Sequence, residues 1–112
     1  TRALSSAASD VYKRQPFVYV PDLAPVLEQM HAKGIHTYAA HLKGQEYYDS
    51  FSFREPTAFL IGNEGNGLSK EISDQAGQYL KIPMEGRVES LNASIAAALL
   101  MYEAHRQRSA RL

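Results

Sequence analysis

The sequence predicts an α/β fold in which helices flank a parallel β-sheet, and two observations carry this prediction. Residues 57–61 form a continuous apolar run with the length and composition of a buried parallel strand. A helix-like segment lies between two further β-prone runs, at 17–20 and 35–40. A strand, a helix and a second strand in that order form a βαβ unit, whose usual handedness makes its two strands parallel.

The helix of this unit has both start and stop signals. Asp22 is a plausible N-cap, and Pro25 is tolerated in the first helical turn. Gly34 ends the segment. Apolar residues recur inside it at helical spacing; they are Leu23, Val26, Leu27 and Met30.

Residues 41–55 are polar and aromatic, and they allow two interpretations. Their aromatic side chains are Tyr47, Tyr48, Phe51 and Phe53. Two aromatic pairs could stack on nucleic-acid bases. We favour the alternative, a loop or short helix that packs onto the edge of the sheet.

A glycine-rich turn follows the strand at 57–61. The spacing of Gly62, Gly65 and Gly67 matches neither the dinucleotide-binding fingerprint nor the Walker A phosphate loop. Ser69 is expected to cap a short helix over 70–76, and 79–82 forms the next strand. Loops at the carboxyl ends of parallel strands often bind ligands, although a glycine-rich turn without a ligand is equally common.

A second polar loop follows Ile82 and leads into the last helix. Three small polar residues, Ser90, Asn92 and Ser94, lie at the helix entry, where free backbone N–H groups suit an anionic or polar ligand. The simpler interpretation is an ordinary helix cap. The helix is predicted from about Ser90 to Arg108, which gives a length of about 28 Å.

The last helix carries one apolar stripe, made by Leu91, Ile95, Leu99 and Tyr102. Its length exceeds what a small sheet can cover. We therefore expect part of its apolar or alanine-rich face to pack against a second subunit.

The length and composition of the chain limit the classes of protein to which it can belong. The chain has 112 residues, enough for one domain with a single modest core. Apolar residues make up 45% and charged residues 21%, the balance of a soluble globular domain. Cysteine is absent, which excludes disulfides, thiolate metal sites and cysteine nucleophiles and fits a cytoplasmic protein. No apolar run is long enough to span a membrane, so we expect no membrane partner.

Residues 1–15 are predicted to lie outside the fold. The stretch 10–15 (DVYKRQ) is what GAT GTG TAT AAG AGA CAG would encode, and this string resembles the end of a transposon-based sequencing adapter. Residues 16–112 would then form an N-terminally truncated domain with nine basic and eleven acidic side chains. This charge gives no support of its own to nucleic-acid binding.

Two segments together resemble a known enzyme family. They are residues 59–68 (FLIGNEGNGL) and 82–94 (IPMEGRVESLNAS), followed by the helix with Tyr102-Glu103 and Arg106-Gln107-Arg108. In that order they resemble the second and third motifs of the SpoU (TrmH-type) RNA ribose 2′-O-methyltransferases of the SPOUT superfamily. The resemblance covers residues 16 to about 108.

The resemblance implies a fold, a cofactor and partners. Members have a parallel α/β domain whose C-terminal part forms a deep trefoil knot, and similar members are homodimers that contact each other near the helix after Asn92. The substrate would be tRNA or rRNA. The cofactor would be S-adenosylmethionine, bound largely by backbone groups; the matching positions are Gly62, Ile82 and Leu91, with Leu60, Met84 and Ser90 close by.

The resemblance also implies catalytic positions. Asn92 and Ser90 would position cofactor, ribose or phosphate, and Glu64 would orient the catalytic arginine or the knot loop. The family's first motif carries an asparagine and that arginine, and nothing before Phe17 matches it. Neither Arg14 nor Arg54 is assigned to the role, so the fragment is expected to be catalytically incomplete.

Two other classes stay open from the sequence. One is a non-catalytic knotted module that binds RNA or dimerises, and the other is a nucleotide-binding domain that uses the Gly62 loop for phosphate. A metal is not expected, because the four histidines show no metal-ligand spacing; they are His31, His36, His41 and His105.

Overall fold

The computed structural model describes residues 16–40, 46–62, 68–82 and 93–109. Within these ranges three helices, three strands and one 3₁₀ turn follow one another along the chain. In order they are α1 (Leu23–Ala32), β1 (His36–Ala40), the 3₁₀ turn (Tyr48–Ser50), β2 (Thr57–Leu60), α2 (Lys70–Gln75), β3 (Gln78–Leu80) and α3 (Ala93–Ser109).

The three described strands form one parallel sheet in the order β2-β1-β3. Strand β1 is central, with Ala39 beside Leu60 of β2 and Ala40 beside Leu80 of β3. Helices pack on both faces, which confirms the predicted α/β class with a parallel, helix-flanked sheet. The predicted knot depends on segments outside the described residues.

The two faces of the sheet bury different side chains. On one face, Leu27 of α1 packs with Ala39 and Leu60, and side chains of α2 and its flanking residues complete an aliphatic layer. On the other face, Tyr38, Phe53, Leu80 and Leu100 form an aromatic layer under α3. This alternation is the period-two pattern of a strand that is covered on both sides.

Local capping signals are confirmed. The Asp22 carboxylate accepts a hydrogen bond from the Ala24 N–H at 3.1 Å, and the Ser69 hydroxyl accepts one from the Ile72 N–H at 3.2 Å. Gly34 has a φ of 78°, a left-handed conformation that glycine adopts without steric cost, and it closes α1 as predicted.

The predicted strand at 17–20 is wrong. Residues 16–20 have no regular secondary structure, and Phe17, Val18 and Tyr19 are all more than half exposed. Strand β1, the expected partner of this run, is paired on both sides by β2 and β3, so the predicted βαβ unit does not form. A β-prone sequence becomes a strand only when tertiary contacts pair it.

The aromatic segment packs against the sheet, as favoured above. Phe53 is fully buried, and its ring lies 5.1 Å from that of Tyr38 and 4.9 Å from that of Phe59. Tyr47 forms a parallel bridge with Lys81 at the end of β3. Phe53 is therefore a core residue, and base stacking by Phe53 is excluded.

The apolar stripe of α3 faces away from the core. Ile95, Leu99 and Tyr102 are exposed, by 52%, 37% and 74%. The buried positions of α3 are Ala96, Leu100 and Glu103. Consecutive helical residues are about 100° apart, so the buried face lies about a quarter turn from the stripe.

None of the helices in the described ranges is long and apolar enough to cross a membrane.

Candidate cofactor-binding edge

The two candidate loops leave the sheet at the same edge. Strands β2 and β3 both run parallel to β1, so their carboxyl ends lie together. They are separated by one strand and hence by about 10 Å. Gly62 follows the end of β2 by two residues, and Ile82 follows the end of β3 by two residues. The predicted cofactor residues of two distant segments are therefore neighbours in space.

Among the described residues, the centre of this edge carries only small side chains. Between the ends of β2 and β3, strand β1 finishes with Ala39 and Ala40, whose side chains are small. On the aromatic face, Ile61 and Ile82 pack against the layer under α3. The edge thus combines little side-chain bulk at its centre with apolar surface beside it.

Of the predicted cofactor residues, Leu60, Gly62 and Ile82 are described. Leu60 is 8% exposed and its side chain belongs to the aliphatic layer, so it would reach a ligand through its main chain. Gly62 and Ile82 are partly exposed. The other predicted site residues lie outside the described residues; they are Glu64, Met84, Ser90, Leu91 and Asn92.

A groove of about 500 Å³ runs between β2 and α3. Thr57, Phe59 and Ile61 line it from β2, and Ala97 and Met101 line it from α3. Ile61 directly precedes Gly62, so the groove reaches the candidate edge. It borders the side of β2 that is not paired with β1.

Charged groups cluster at the opposite end of α3. The Arg106 guanidinium donates two hydrogen bonds of 2.8 Å to the Glu103 carboxylate. The bond from Arg106, helped by one from Gln107, lowers the pKa of Glu103 although its burial acts in the other direction. Glu103 is therefore a buried, ionised residue.

Sequence reasoning did not assign these polar residues of α3. Glu103 and Gln107 are four residues apart, which places them on one helix face. This spacing is the one sequence signal for the pair. The partners of Gln107 in residues 51–55 are more than fifty positions away in the sequence, so the sequence alone does not identify them.

Among the described residues, no three His, Asp or Glu side chains are arranged to hold a metal ion.

The fold and the edge define a class of α/β protein with ligand loops at the carboxyl ends of parallel strands. The model of the SpoU rRNA methylase family matches residues 1–102. The chain therefore belongs to the SpoU methylase family.

A curated relative and two solved structures support this assignment. The chain is 35% identical over 108 residues to a protein of Staphylococcus haemolyticus assigned to the TrmH family of tRNA/rRNA methyltransferases. That match covers 96% of this chain and 43% of the relative, so the chain spans less than half of the relative's length.

The SpoU methyltransferase AviRb from Streptomyces viridochromogenes was solved in complex with AdoMet. It is 35% identical, with a TM-score of 0.80 over 92% of this chain and 42% of AviRb. A structure described as an RNA 2′-O ribose methyltransferase is also 35% identical, with a TM-score of 0.68 over 76% of this chain and 33% of that one.

Proposed function

We propose that the full-length protein transfers a methyl group from S-adenosylmethionine to a ribose 2′-hydroxyl of tRNA or rRNA. One observation carries the proposal. The glycine-rich loop after β2 and the polar loop after β3 begin at the same edge of the sheet, on either side of β1. Two loops so placed can close on one ligand, whereas a single glycine-rich turn is weak evidence.

The relatives support the cofactor and the reaction class. AviRb binds AdoMet, and a second similar structure is described as a ribose 2′-O enzyme acting on RNA. The family match spans most of this chain. These proteins make a methyl transfer to RNA the reaction that best fits the edge.

The described residues fit such a cofactor. Apolar side chains beside the edge suit the faces of a purine ring, while Gly62 permits close approach of the ligand to the main chain. Bound S-adenosylmethionine would supply an electrophilic sulfonium methyl group. Ile82 and Leu91 would frame it, with Leu60, Met84 and Ser90 close by.

The protein's own groups would align the acceptor hydroxyl and assist loss of its proton. We assign Asn92 and Ser90 to positioning cofactor, ribose or phosphate. Glu64 would orient the catalytic arginine or its loop. That arginine belongs to the family's first motif, which nothing before Phe17 matches. The proposal therefore includes that the full-length protein supplies this arginine.

Three features accompany this function. We propose that the C-terminal part of the domain forms the trefoil knot of SPOUT enzymes, that two copies associate through α3, and that the protein acts in the cytoplasm. The exposed apolar side chains Ile95, Leu99 and Tyr102 support association through α3, because solvated apolar stripes commonly mark interfaces.

Calorimetry with S-adenosylhomocysteine tests the cofactor site. We expect binding near micromolar affinity by the parent protein and no measurable binding by Gly62→Val, because the added side chain fills the approach to the backbone. Ala32→Val is the matched control, since it adds bulk at the exposed end of α1, close to the opposite edge. A folded parent that binds no S-adenosylhomocysteine would contradict the proposal.

Turnover tests the assignment of Asn92. In the full-length protein, Asn92→Ala should lower methylation of RNA about tenfold or more, a loss of about 1.4 kcal/mol per decade, while the fold survives. Transfer and ribosomal RNA should both be assayed with radiolabelled cofactor. Unchanged turnover would remove Asn92 from the site, and RNA binding without turnover by the full-length parent would favour the non-catalytic module.

A further inference from the structure

Helix α3 buries its less apolar face. The side chains that face the sheet are Ala96, Leu100 and the charged Glu103, whereas the larger apolar set of Ile95, Leu99 and Tyr102 is exposed. Apolar burial alone favours the opposite choice, because larger apolar side chains gain more on leaving water. Another interaction must therefore fix the rotation of this helix about its axis.

A cluster of polar side chains bonds the last two turns of α3 to the main chain of residues 51–55. The Gln107 carboxamide donates to the Phe51 carbonyl at 2.9 Å and accepts from the Phe53 N–H at 2.6 Å. These are the two main-chain groups that a neighbouring parallel strand would bond. Gln107 thus substitutes for a strand beside this segment.

The orientation of the Gln107 carboxamide is fixed by its partners. Its second N–H donates to the Glu103 carboxylate at 2.8 Å, and that carboxylate also accepts two bonds from Arg106. A flipped amide would place its oxygen against two acceptors and its NH₂ group against the Phe53 N–H. The arrangement satisfies every polar atom of the carboxamide.

Arg108 adds two bonds to the same segment. Its guanidinium donates to the carbonyls of Phe53 at 2.8 Å and Glu55 at 2.9 Å. Phe53, between these contacts, is fully buried against the sheet. The segment is therefore anchored to the sheet by Phe53, and α3 is bonded to it on one defined face.

We propose that Glu103, Gln107 and Arg108 form a polar clamp that sets the rotation of α3 and so keeps the Ile95–Leu99–Tyr102 stripe turned outward. They are positioning residues rather than catalytic ones. That the stripe then receives a second copy of the chain rests on the proposed function.

Single-cysteine reporters test the rotation directly, because the chain has no native cysteine. Ala96→Cys is the buried-face reporter of α3, Ala98→Cys is the partly exposed reporter, and Ala39→Cys is the sheet-core reporter. Maleimide labelling of each reporter is measured in the parent, in Q107E and in Q29E. Gln29 is exposed on α1 and controls for the same chemical change.

In the parent we expect the buried-face and sheet-core reporters to label slowly and the partly exposed reporter to label quickly. In Q107E a carboxylate oxygen faces Glu103 and the Phe51 carbonyl, so the clamp opens and the buried-face reporter should label about tenfold faster or more. The sheet-core reporter should stay protected, and Q29E should match the parent. The double variant E103Q/Q107E should restore part of the protection of the buried-face reporter, because an amide again faces a carboxylate while the Phe51 carbonyl still faces a carboxylate oxygen.

Two results would overturn the proposal. Protection of the buried-face reporter in Q107E equal to that in the parent would show that the clamp does not set the rotation. A parallel rise in the labelling of the buried-face and sheet-core reporters would show that Gln107 only contributes to global stability.

Sedimentation separates the clamp from the proposed dimer. If the parent dimerises, Q107E should dimerise about tenfold more weakly or worse. Equal dimerisation with an exposed buried-face reporter would refute the link between clamp and interface. A monomeric parent would refute the dimer in the proposed function, and the labelling result would still decide the rotation.

Discussion

The two faces of the sheet are held by different kinds of interaction. Helix α1 packs on one face through Leu27, with Ala39 and Leu60 beneath it, and one side-chain hydrogen bond of 2.7 Å joins its His31 to Thr37 of β1. Helix α3 packs on the other face through Leu100 on an aromatic layer, and its last turns are bonded by Glu103, Gln107 and Arg108. Apolar contacts dominate the first attachment, and a network of directed hydrogen bonds dominates the second.

This difference explains why the orientation of α1 is easier to infer from the sequence than that of α3. Hydrophobic contact is non-directional, so a helix with a single apolar stripe turns that stripe inward. Hydrogen bonds require a particular partner at a particular angle. A helix that has both apolar residues on several faces and such partners can bury the less apolar face.

Truncation of the buried aromatic ring of Phe53 should reduce the free energy of unfolding most. Phe53→Ala should reduce the free energy of unfolding by about 4 kcal/mol, because it leaves a cavity against Tyr38 and Phe59. Urea denaturation followed by circular dichroism measures this loss. Phe53→Leu should cost clearly less, and a loss below about 1 kcal/mol for Phe53→Ala would contradict a core role.

Truncation in the aliphatic layer should cost somewhat less. Leu27→Ala should reduce the free energy of unfolding by about 3 kcal/mol, because Leu27 is 1% exposed and smaller than Phe53. The same denaturation experiment applies, with Leu27→Met expected to lose under about 1.5 kcal/mol. A larger loss for Leu27→Ala than for Phe53→Ala would reverse the ranking of the two layers.

Removal of the charge on Glu103 should reduce the free energy of unfolding least of the three substitutions, and the reduction should depend on pH. The folded state lowers the pKa of Glu103 through its bond from Arg106, so its stabilisation is present above the unfolded pKa of about 4.3 and is lost as the pH falls through the folded pKa. Glu103→Gln should therefore cost about 1–2 kcal/mol at neutral pH and little in acid.

Denaturation of the parent and Glu103→Gln at a series of pH values measures this dependence. Glu28→Gln, an exposed substitution on α1, is the control and should be nearly neutral throughout. An equal loss at neutral and acid pH would show that the charge on Glu103 does not matter to the clamp.

Much of the fold follows from local sequence signals. Strand β2, helix α1 and the Ser69 cap are confirmed, because each depends on residues within one or two turns of itself. The predicted strand at 17–20 is wrong because a strand needs a neighbouring strand to pair with, and the local sequence does not identify one. The rotation of α3 was not predicted, because Gln107 bonds to Phe51 and Phe53, which are distant in the sequence.

For the candidate site, the sequence predicted which segments carry the loops, and the sheet brings Gly62 and Ile82 to one edge as parallel strands require. The order of the strands, which separates these loops by the width of β1, was not deducible from the motifs. The roles of Glu64, Ser90 and Leu91 stay predictions, and so does that of Asn92, which the turnover of Asn92→Ala tests.

The central place of β1 also constrains how the domain folds. His36 pairs with Thr57, and Tyr38 pairs with Gln78, so β1 leaves the ribosome before either partner and must wait for two later segments before both its edges are bonded. Closing such long loops makes folding slow compared with that of a helical bundle. Until β3 emerges, β1 presents an unpaired apolar edge, and this nascent state is where chaperones would be expected to bind.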